Sequence, residues 1–500
     1  MSKNNKKVII IGGGTAGITI ANQLQNFFEV EIIEKSKYRK YPLVYKIPLF
    51  IGLLFRNEKT KYISKRNIQL SNGRSMPFFE SNLLGGASII NGCVHMLGSR
   101  LEWNSILKNF NSDFDELLDS YGELYSKNKD KNKINLTLAS QNIIDNLFLK
   151  TLNQNNIPIG NMDFSDEEAC GPILNTSGKY FRSSVLSFLD NKIFKLVTDE
   201  NVENILLSKD GSVTGVKTNR RIIDSDYVIL SGGVIGTCDI LLRAKHIDND
   251  KNRNILDNIM IGNDIQDHTN LRINALTKIK IGSLNEISNN FFKKLFLIFK
   301  HFLGRPSLMT GTGATSAAHL DLNNDGVIDT RIQIVQFSET GRHGSDGTFF
   351  GSKPGFSISI TCINPKSKGE IKVDGEKNII NPKFLSEKND MELLKLALKY
   401  CIKLLRSKPI SDYVLKIEDE YAIENNTEEY IKSNIFSGHH LIGGAHEAIN
   451  SDFEVHNTKG LYICDASVIN KYPASNIHSS VVLLAGIFSK KFIRKNLLNK

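Results

Sequence analysis

Long apolar runs are absent from this 500-residue sequence, and cysteine is scarce. No stretch reaches the roughly 18 apolar residues that a membrane-spanning helix needs, so no such helix is expected. The six cysteines are scattered along the chain, which favours buried free thiols over a disulfide framework. The start, MSKNNKKVIIIGGG, has a short apolar run that ends in glycines, so we interpret it as a first strand and not as a signal peptide. These features predict a cytoplasmic protein.

Motifs for nucleic-acid binding are also missing. The sequence has no RNP-type aromatic motif and no finger-type cysteine and histidine spacing, so no nucleic-acid partner is expected. Lysine and arginine outnumber aspartate and glutamate by 63 to 53, which gives a net charge of +10. Such an excess can serve a nucleic acid or a membrane surface, but the basic residues are spread along the whole chain. We therefore favour solvated faces as its explanation.

Two segments remain candidates for a weak membrane-surface contact. Residues 291–302, FFKKLFLIFKHF, place aromatic and basic residues at helical spacing and could rest on a membrane or an apolar substrate. The basic C-terminus, KKFIRKNLLNK, could add to such a contact. For 291–302 we favour the alternative of a lid helix packed on a sheet domain.

The first 34 residues predict the strand–turn–helix–strand start of a dinucleotide fold. An apolar strand from Lys7 to Ile11 leads into the loop GGGTAG and then a helix through Leu24. A second strand runs from Val30 to Ile33 and is followed by Glu34. This order of elements is the βαβ unit that binds dinucleotides.

Each glycine of the loop has its own predicted task. Gly12 allows the tight turn, Gly14 lets the backbone approach a pyrophosphate, and Gly17 lets the helix pack on the strand. Glu34 can hold a ribose that carries two hydroxyls, which disfavours a 2′-phosphorylated nucleotide. The loop alone does not distinguish FAD from NAD. The predicted cofactor contacts in this unit are Gly12, Gly14, Thr15, Ala16, Gly17 and Glu34.

The remaining sequence predicts an α/β domain with an inserted antiparallel sheet. We expect a Rossmann-like cofactor-binding domain over 1–269, with excursions at 36–84 and 104–185. Alternating apolar residues then predict a substrate-binding α+β domain over 270–435, and residues 436–500 return to the first domain. Further predicted elements are strands at 202–207, 212–217, 226–230, 331–336 and 355–362, a turn at 209–211, and helices from 233 to 244 and over 390–407.

Two histidines flank a short strand near the C-terminus. His440 precedes the apolar run from Leu461 to Cys464, Asp465 ends that run, and His478 follows it. A strand that ends in an acidic and a small residue can approach a cofactor closely. The histidines on either side can then reach the same reacting atom.

Five motifs in order resemble the glucose–methanol–choline (GMC) family of flavin oxidoreductases. They extend along nearly the whole chain and are weakest at 36–80 and in the inserted sheet. The motifs are GGGTAG with Glu34, GGASIINGCVHMLGSRLEW at 85–103, SGGVIGTCDILLRAKHI at 231–247, IGNDIQDH at 261–268, and the C-terminal HHLIGGAHE, GLYICDASVI and SNIHSS.

The resemblance implies FAD as the cofactor and assigns residues to it. His440 matches the active-site histidine of the family. His478 matches the partner position of that histidine and is also expected to contact the cofactor. Ile90 stands where some members carry a histidine that attaches FAD covalently, so non-covalent FAD is expected. The usual Gly-Thr-Cys after the first histidine is Gly443-Gly444-Ala445 here. Implied FAD contacts beyond the first loop are Gly85, Gly86, Ser88, Asn91, Gly92, Val202, Asp465, Ala466 and His478.

The predicted function is FAD-dependent oxidation of an alcohol to a carbonyl compound. A histidine suits the base that takes the hydroxyl proton, and a second polar group must bind the developing alkoxide. We assign His440 as base and His478 as hydrogen-bonding partner, although the two roles could be reversed. The expected partners are a small alcohol and either an acceptor protein or O₂, and the missing signal peptide favours a dehydrogenase over an oxidase. The alternatives are a lyase or photochemical enzyme of the same fold, and a membrane-peripheral electron-transfer subunit.

The other histidines receive supporting roles, and no metal site is predicted. His439 is expected to be structural or to line the substrate site. His446 is expected to lie behind the residues that line the site, with its hydrogen bonds satisfied. His268, in the motif QDH, is expected to be structural. A metal site of His439, His440 and His446 lacks the carboxylate–histidine spacing that would support it.

Overall fold

A five-stranded parallel sheet forms the framework on which the N-terminal loop is built. The computed structural model describes residues 5–57, 59–246, 256, 259–340, 349–374 and 377–498. All neighbouring strands in this sheet run parallel. In spatial order the strands are Lys195–Thr198, Glu29–Glu34, Lys7–Ile11, Tyr227–Leu230 and Leu461–Ile463.

The predicted N-terminal unit is confirmed to within one residue at each boundary. The strand Lys7–Ile11 is apolar and almost wholly buried, as expected for a central strand of a covered parallel sheet. It is followed by the helix Thr15–Leu24 and by the strand Glu29–Glu34. The C-terminal helix Ile477–Ile493 packs against Thr15–Leu24, so the two ends of the chain share one core.

The predicted antiparallel sheet is also confirmed, with helix Lys388–Arg406 packed on it. Residues on its strands alternate between a face toward the core and a face toward a cavity. The short strand Phe436–Ser437 pairs with Thr269–Thr277 beside the main path. In order, the path is Val414–Ile417, Thr269–Thr277, Gly355–Cys362, Thr330–Val335, Ala314–Leu320 and Ala169–Pro172.

Residues 36–84 contain a hairpin that the sequence did not predict. Strands Ile63–Gln69 and Ser75–Ser81 pair in an antiparallel fashion and continue a second five-stranded sheet with Lys377–Asn381, Gly369–Asp374 and Asn263–Ile265. The first strand is half exposed and carries Lys65 and Arg66, so only Ile63 and Ile68 give an apolar signal. Strands from both predicted excursions thus pair with strands of the region 270–435. The predicted domain boundaries stay a prediction.

A three-stranded antiparallel sheet flanks the parallel one. Its strands are Val202–Leu207, Val213–Thr218 and Ile222–Asp224, and the predicted turn contains Gly211 at φ +81°. Within the described part of the chain, no helix is long and apolar enough to cross a membrane. Other helices are Ile51–Arg56, Arg100–Lys108, Phe114–Leu124, Ile143–Gln154, Gly233–His246, Leu284–Ser288, Phe291–Phe302, Glu420–Asn425 and Thr427–Asn434.

Candidate cofactor cavity and active site

A cavity of about 1010 Å³ lies between the carboxyl ends of the parallel strands and one face of the antiparallel sheet. This is the upper end of the volume range of small-molecule sites. Both predicted catalytic histidines, His440 and His478, line it. The predicted cofactor contacts that line it are Gly12, Gly14, Thr15, Ala16, Glu34, Gly86, Asn91, Gly92, Val202, Asp465, Ala466 and His478, whereas Gly17, Gly85 and Ser88 lie behind the cavity wall.

The geometry of the first glycine loop fits the tasks predicted for it. Gly12 has φ +106°, and a Cβ there would lie 2.5 Å from the carbonyl oxygen of Ser231. A Cβ at Gly17 would lie 1.9 Å from the carbonyl oxygen of Gly12, so the helix could not pack here with a side chain. A Cβ at Gly14 would meet no atom within 4 Å and would project into open space.

The N-terminus of the helix Thr15–Leu24 is uncapped. No side chain hydrogen-bonds to it, and its first turn carries no acidic residue. The first N–H groups of a helix lack partners within the helix, and the helix dipole makes this end positive. The end of the helix at the cavity is therefore suited to an anion such as a pyrophosphate.

The second glycine loop closes over the first. Gly85 and Gly86 have φ of +98° and +56°, and a Cβ at Gly86 would lie 3.0 Å from the Cα of Gly14. The N–H of Gly85 donates to the carbonyl of Gly13 at 2.8 Å, and the Ser88 hydroxyl donates to the carbonyl of Gly85 at 2.7 Å. Gly85 and Ser88 therefore hold the loop in place, and Gly86 presents it to the cavity.

A chain of hydrogen bonds orients His440. Its Nε2 lies 3.0 Å from Nδ2 of Asn476, and its Nδ1 lies 3.0 Å from Nδ1 of His268. Beyond these, Arg331 donates to Oδ1 of Asn476, and Nε2 of His268 lies 3.2 Å from the carbonyl oxygen of Ile363. His440 is thus held on both ring nitrogens.

This chain has one consistent assignment of protons. A guanidinium can only donate, so Arg331 turns Oδ1 of Asn476 toward itself and Nδ2 toward His440. Nε2 of His440 therefore accepts, and its ring proton is on Nδ1. The carbonyl of Ile363 can only accept, so His268 carries its proton on Nε2 and accepts from His440 on Nδ1. Burial, followed by the positive charge of Arg331, lowers the pKa of His440 to about 3, which keeps this ring neutral.

His478 lies on the same cavity but outside this chain. Its Nε2 is buried and has no hydrogen-bond partner among the described residues. Burial, followed by the charge of Arg182, lowers the pKa of His478 to about 4. A buried polar atom without a partner at a cavity wall is suited to a ligand.

The sequence and structure comparisons agree with this geometry. A family model described as GMC oxidoreductase matches residues 365–485. Glucose dehydrogenase [FAD, quinone] of Drosophila melanogaster is 21% identical, with 95% of this chain and 85% of the relative aligned. Oxygen-dependent choline dehydrogenase of Staphylococcus xylosus is also 21% identical, over 97% of this chain and 94% of the relative.

By these matches the chain is similar to GMC oxidoreductases. The fold is also similar to that of a solved structure. A formate oxidase variant from Aspergillus oryzae RIB40 superposes on this chain with a TM-score of 0.85 at 17% identity, over 99% of both chains. The Drosophila relative is named as an FAD enzyme. The uncapped helix end, the open space at Gly14 and the cavity volume fit FAD in this structure.

Two carboxylates that line the cavity accept hydrogen bonds from protein groups. The Glu34 carboxylate accepts from the N–H groups of Gly13 and Ser36, both at 2.6 Å. A carboxylate has further lone pairs, so a ribose hydroxyl can still donate to Glu34. The Asp465 carboxylate accepts three hydrogen bonds. The donors are the N–H of Gly233 at 2.9 Å, the Thr237 hydroxyl at 2.6 Å and the N–H of Ser467 at 2.8 Å, so this carboxylate joins the ends of two strands.

The remaining predicted histidines differ in their surroundings. His439 lines the cavity and stacks on Phe78 with ring centroids 5.0 Å apart, as expected for a structural or substrate-lining residue. His268 contacts His440 directly and so has a larger role than the structural one predicted. His446 lies with Asp264 and Glu447 in a partly exposed group of possible metal ligands, apart from His439 and His440. The absence of a metal stays a prediction.

Four residues of the site were given no role by the sequence. Asp267 accepts from the N–H of His440 at 2.9 Å and from the Ser437 hydroxyl, and Tyr472 donates to the carbonyl of His440 at 2.8 Å. Burial raises the pKa of Asp267 to about 7. Asp267 belongs to the motif IGNDIQDH, which could have indicated it. Asn476 and Arg331, described above, complete the four.

Proposed function

We propose that this protein is an FAD-dependent GMC oxidoreductase that oxidises an alcohol to a carbonyl compound, with His440 as the base and His478 as the hydrogen-bond donor to the substrate oxygen. The observation that carries the proposal is the acceptor state of His440 Nε2, which the chain from Arg331 to Ile363 imposes. The unpartnered Nε2 of His478 on the same cavity supports the second role.

In this mechanism the two histidines act on the substrate oxygen. His440 takes the hydroxyl proton on Nε2, once the substrate hydroxyl replaces the amide of Asn476 as its hydrogen-bond donor. His478 donates to the oxygen as negative charge develops on it. A bound FAD would supply the acceptor for the hydride that leaves the carbinol carbon. Asp267 and Tyr472 hold the backbone of His440, so the ring keeps its position during the proton transfer.

The test is anaerobic mixing of the yellow holoenzyme with a panel of primary and secondary alcohols and polyols. At least one of them should bleach the flavin absorbance, and its carbonyl product should be recovered in equal amount. Flavin that stays oxidised with every alcohol would contradict the proposal. The lyase or photochemical alternative would then be tested by a non-redox reaction that His440→Ala abolishes while FAD stays bound.

We further propose a dehydrogenase, in which reduced flavin passes its electrons to a separate acceptor. The quinone acceptor in the name of the Drosophila glucose dehydrogenase supports this choice, whereas the choline dehydrogenase of Staphylococcus xylosus is named for oxygen. With a bleaching alcohol as donor, a soluble quinone should restore the flavin absorbance faster than air-saturated buffer does. Faster reoxidation by O₂ would identify an oxidase instead.

FAD is expected to be bound without a covalent link. Ile90, whose side chain has no nucleophile, lines the cavity where some relatives would place the attaching histidine. His95 lies outside the lining of this cavity, on a smaller one with Met96. Acid precipitation of the holoenzyme should therefore release all flavin into the supernatant, whereas flavin that remains in the pellet would contradict this expectation.

The pH dependence of flavin reduction should reflect the lowered pKa of His440. Only the neutral ring accepts a proton, and the pKa of this group is lowered by burial from 6.5 to about 3. The base form is therefore lost only as pH falls toward 3, so kcat/KM should change less than about twofold from pH 8 to pH 5. A tenfold loss per pH unit below 6.5 would contradict this assignment.

We also propose that the helix Phe291–Phe302 docks on an anionic membrane surface. It was expected to pack on the sheet as a lid, but most of its apolar side chains face outward, and Leu297 packs against the protein. Only His301 on this helix is fully buried. The exposed side chains are Phe291, Phe292, Leu295, Phe296, Ile298, Phe299 and Phe302, with 37% to 78% of their surface accessible, followed by Leu303 at 52%.

Lysines border this apolar face on both sides. At 100° per residue, Lys293 and Lys300 project along one border and Lys294 along the other. Lys293 also pairs with Glu286 at 3.2 Å, so Lys294 and Lys300 carry most of the electrostatic argument. This arrangement of apolar face and basic borders is typical of helices that lie in the interface of an anionic bilayer. The basic C-terminal segment gives less support, because Lys491, Arg494 and Lys495 pair with carboxylates of the protein.

The double variant Phe292→Ser/Phe296→Ser should lose at least about 90% of its binding to phosphatidylglycerol vesicles, because burial of each phenylalanine contributes about 2 kcal/mol. Co-sedimentation at low salt measures the binding, and phosphatidylcholine vesicles should retain little protein. Ile222→Ser, at a position 65% exposed elsewhere on the surface, is the matched control. Equal sedimentation of the double variant and the wild type would contradict the proposal.

A further inference from the structure

Arg331 is a buried cation on the cavity wall without a carboxylate partner. Only 2% of its surface is accessible, and it lines the cavity. Its hydrogen-bond partners are neutral: Oδ1 of Asn476, the Thr361 hydroxyl at 3.4 Å and the sulfur of Met96 at 3.5 Å. Its Nε has no partner, and no described carboxylate forms an ion pair with it.

Arg272 differs from Arg331 in having a carboxylate partner. Arg272 also lines the cavity, but it forms an ion pair with Glu339 at 2.8 Å. A buried charge is stable when it is paired, and removing its partner is strongly destabilising. Burial lowers the pKa of Arg331 to about 10, so the side chain stays protonated at neutral pH. The cavity wall therefore keeps a buried positive charge that the described protein does not neutralise.

This charge lies one side chain away from the base. Arg331 donates to Asn476, and Asn476 donates to Nε2 of His440 at 3.0 Å. Gln333 follows Arg331 by two residues on the strand Thr330–Val335, so both face the cavity. Oε1 of Gln333 and Oδ1 of Asn270 are buried acceptors without partners on this wall, and they suit hydroxyl groups of a ligand.

We propose that Arg331 binds a carboxylate of the substrate, and that the substrates are hydroxy acids whose hydroxyl group lies close to that carboxylate. This inference rests on the proposed alcohol oxidation. A guanidinium matches a carboxylate in shape and charge, and such pairs are stronger than neutral hydrogen bonds. Oxidation breaks the O–H and C–H bonds at the carbinol carbon and yields a keto acid, with the proton taken by His440 and the hydride by FAD.

A binding experiment tests the inference without turnover. The holoenzyme is titrated with acetate and benzoate, and in parallel with acetamide and benzamide, and the change in flavin absorbance gives each Kd. The carboxylates should bind at least about tenfold more tightly than the amides of the same shape. Arg331→Gln should abolish this preference, Arg331→Lys should keep part of it, and the exposed Arg305→Gln should not change it.

Equal binding of carboxylates and amides to the wild type would overturn the inference, whatever the variants do. The inference is also overturned if the Arg331→Gln protein folds, holds FAD and still prefers carboxylates. In that case the guanidinium would interact only with Asn476 or the flavin and not with the ligand. A second arm compares hydroxy acids with their amides as anaerobic reductants of the flavin. Carboxylate binding through Arg331 without reduction by any alcohol would refute the proposed function alone. Reduction by neutral polyols without carboxylate preference would refute this inference alone.

Discussion

Replacement of His440 by alanine should slow the reduction of flavin by a substrate alcohol by about 10²- to 10⁴-fold, the usual contribution of a positioned base. FAD should remain bound, because the glycine loops that form its cradle are built from other parts of the chain. Anaerobic stopped-flow absorbance gives the rate, and the ratio of flavin to protein gives the loading. His456→Ala, at an exposed histidine, is the matched control and should reduce at the wild-type rate.

The variant His478→Ala decides between the two assignments of the histidines. If His440 is the base, His478→Ala should retain more activity than His440→Ala, since a hydrogen-bond donor to the oxygen is removed but the proton acceptor remains. If His478→Ala shows the larger loss, the two roles are reversed. A wild-type rate in His440→Ala would exclude it as the base.

Replacement of Gly14 by valine should weaken FAD binding by roughly 100-fold or more. The backbone at Gly14 has φ −89°, which valine can adopt, and the new Cβ would meet no protein atom within 4 Å. It would instead occupy the space where a pyrophosphate approaches the helix. The apoprotein should therefore keep its Tm while the ratio of flavin to protein falls.

Gly17→Ala provides the contrasting variant. Its Cβ would lie 1.9 Å from the carbonyl oxygen of Gly12, so the helix must move away from the strand. This change should lower the Tm of the apoprotein as well as the FAD content. Full FAD binding by Gly14→Val would contradict the assignment of this loop to the cofactor.

The sequence predicted best where local residue pattern and local structure coincide. The apolar strand Lys7–Ile11, its glycine turn and Glu34 lie within 34 residues and need no distant contact to be recognised. It predicted least well where a strand has a polar face, as at Ile63–Gln69, or where an amphipathic helix is left uncovered, as at Phe291–Phe302. In both cases the residue pattern shows which face of the element is apolar, but it does not show what packs against that face.

From the residue pattern alone one can predict the glycine loop, the parallel and antiparallel sheets, and the pair of histidines near the end of the chain. The orientation of His440 by Asn476 and His268, which are 36 and 172 residues away, is visible only in the folded protein. Only it placed the unpaired charge of Arg331 at the end of the same chain of hydrogen bonds. The physical reason is that proton position and charge balance depend on which groups meet in space. The strand that carries Arg331 and the helix end that carries Asn476 meet only when the antiparallel sheet packs over the parallel one.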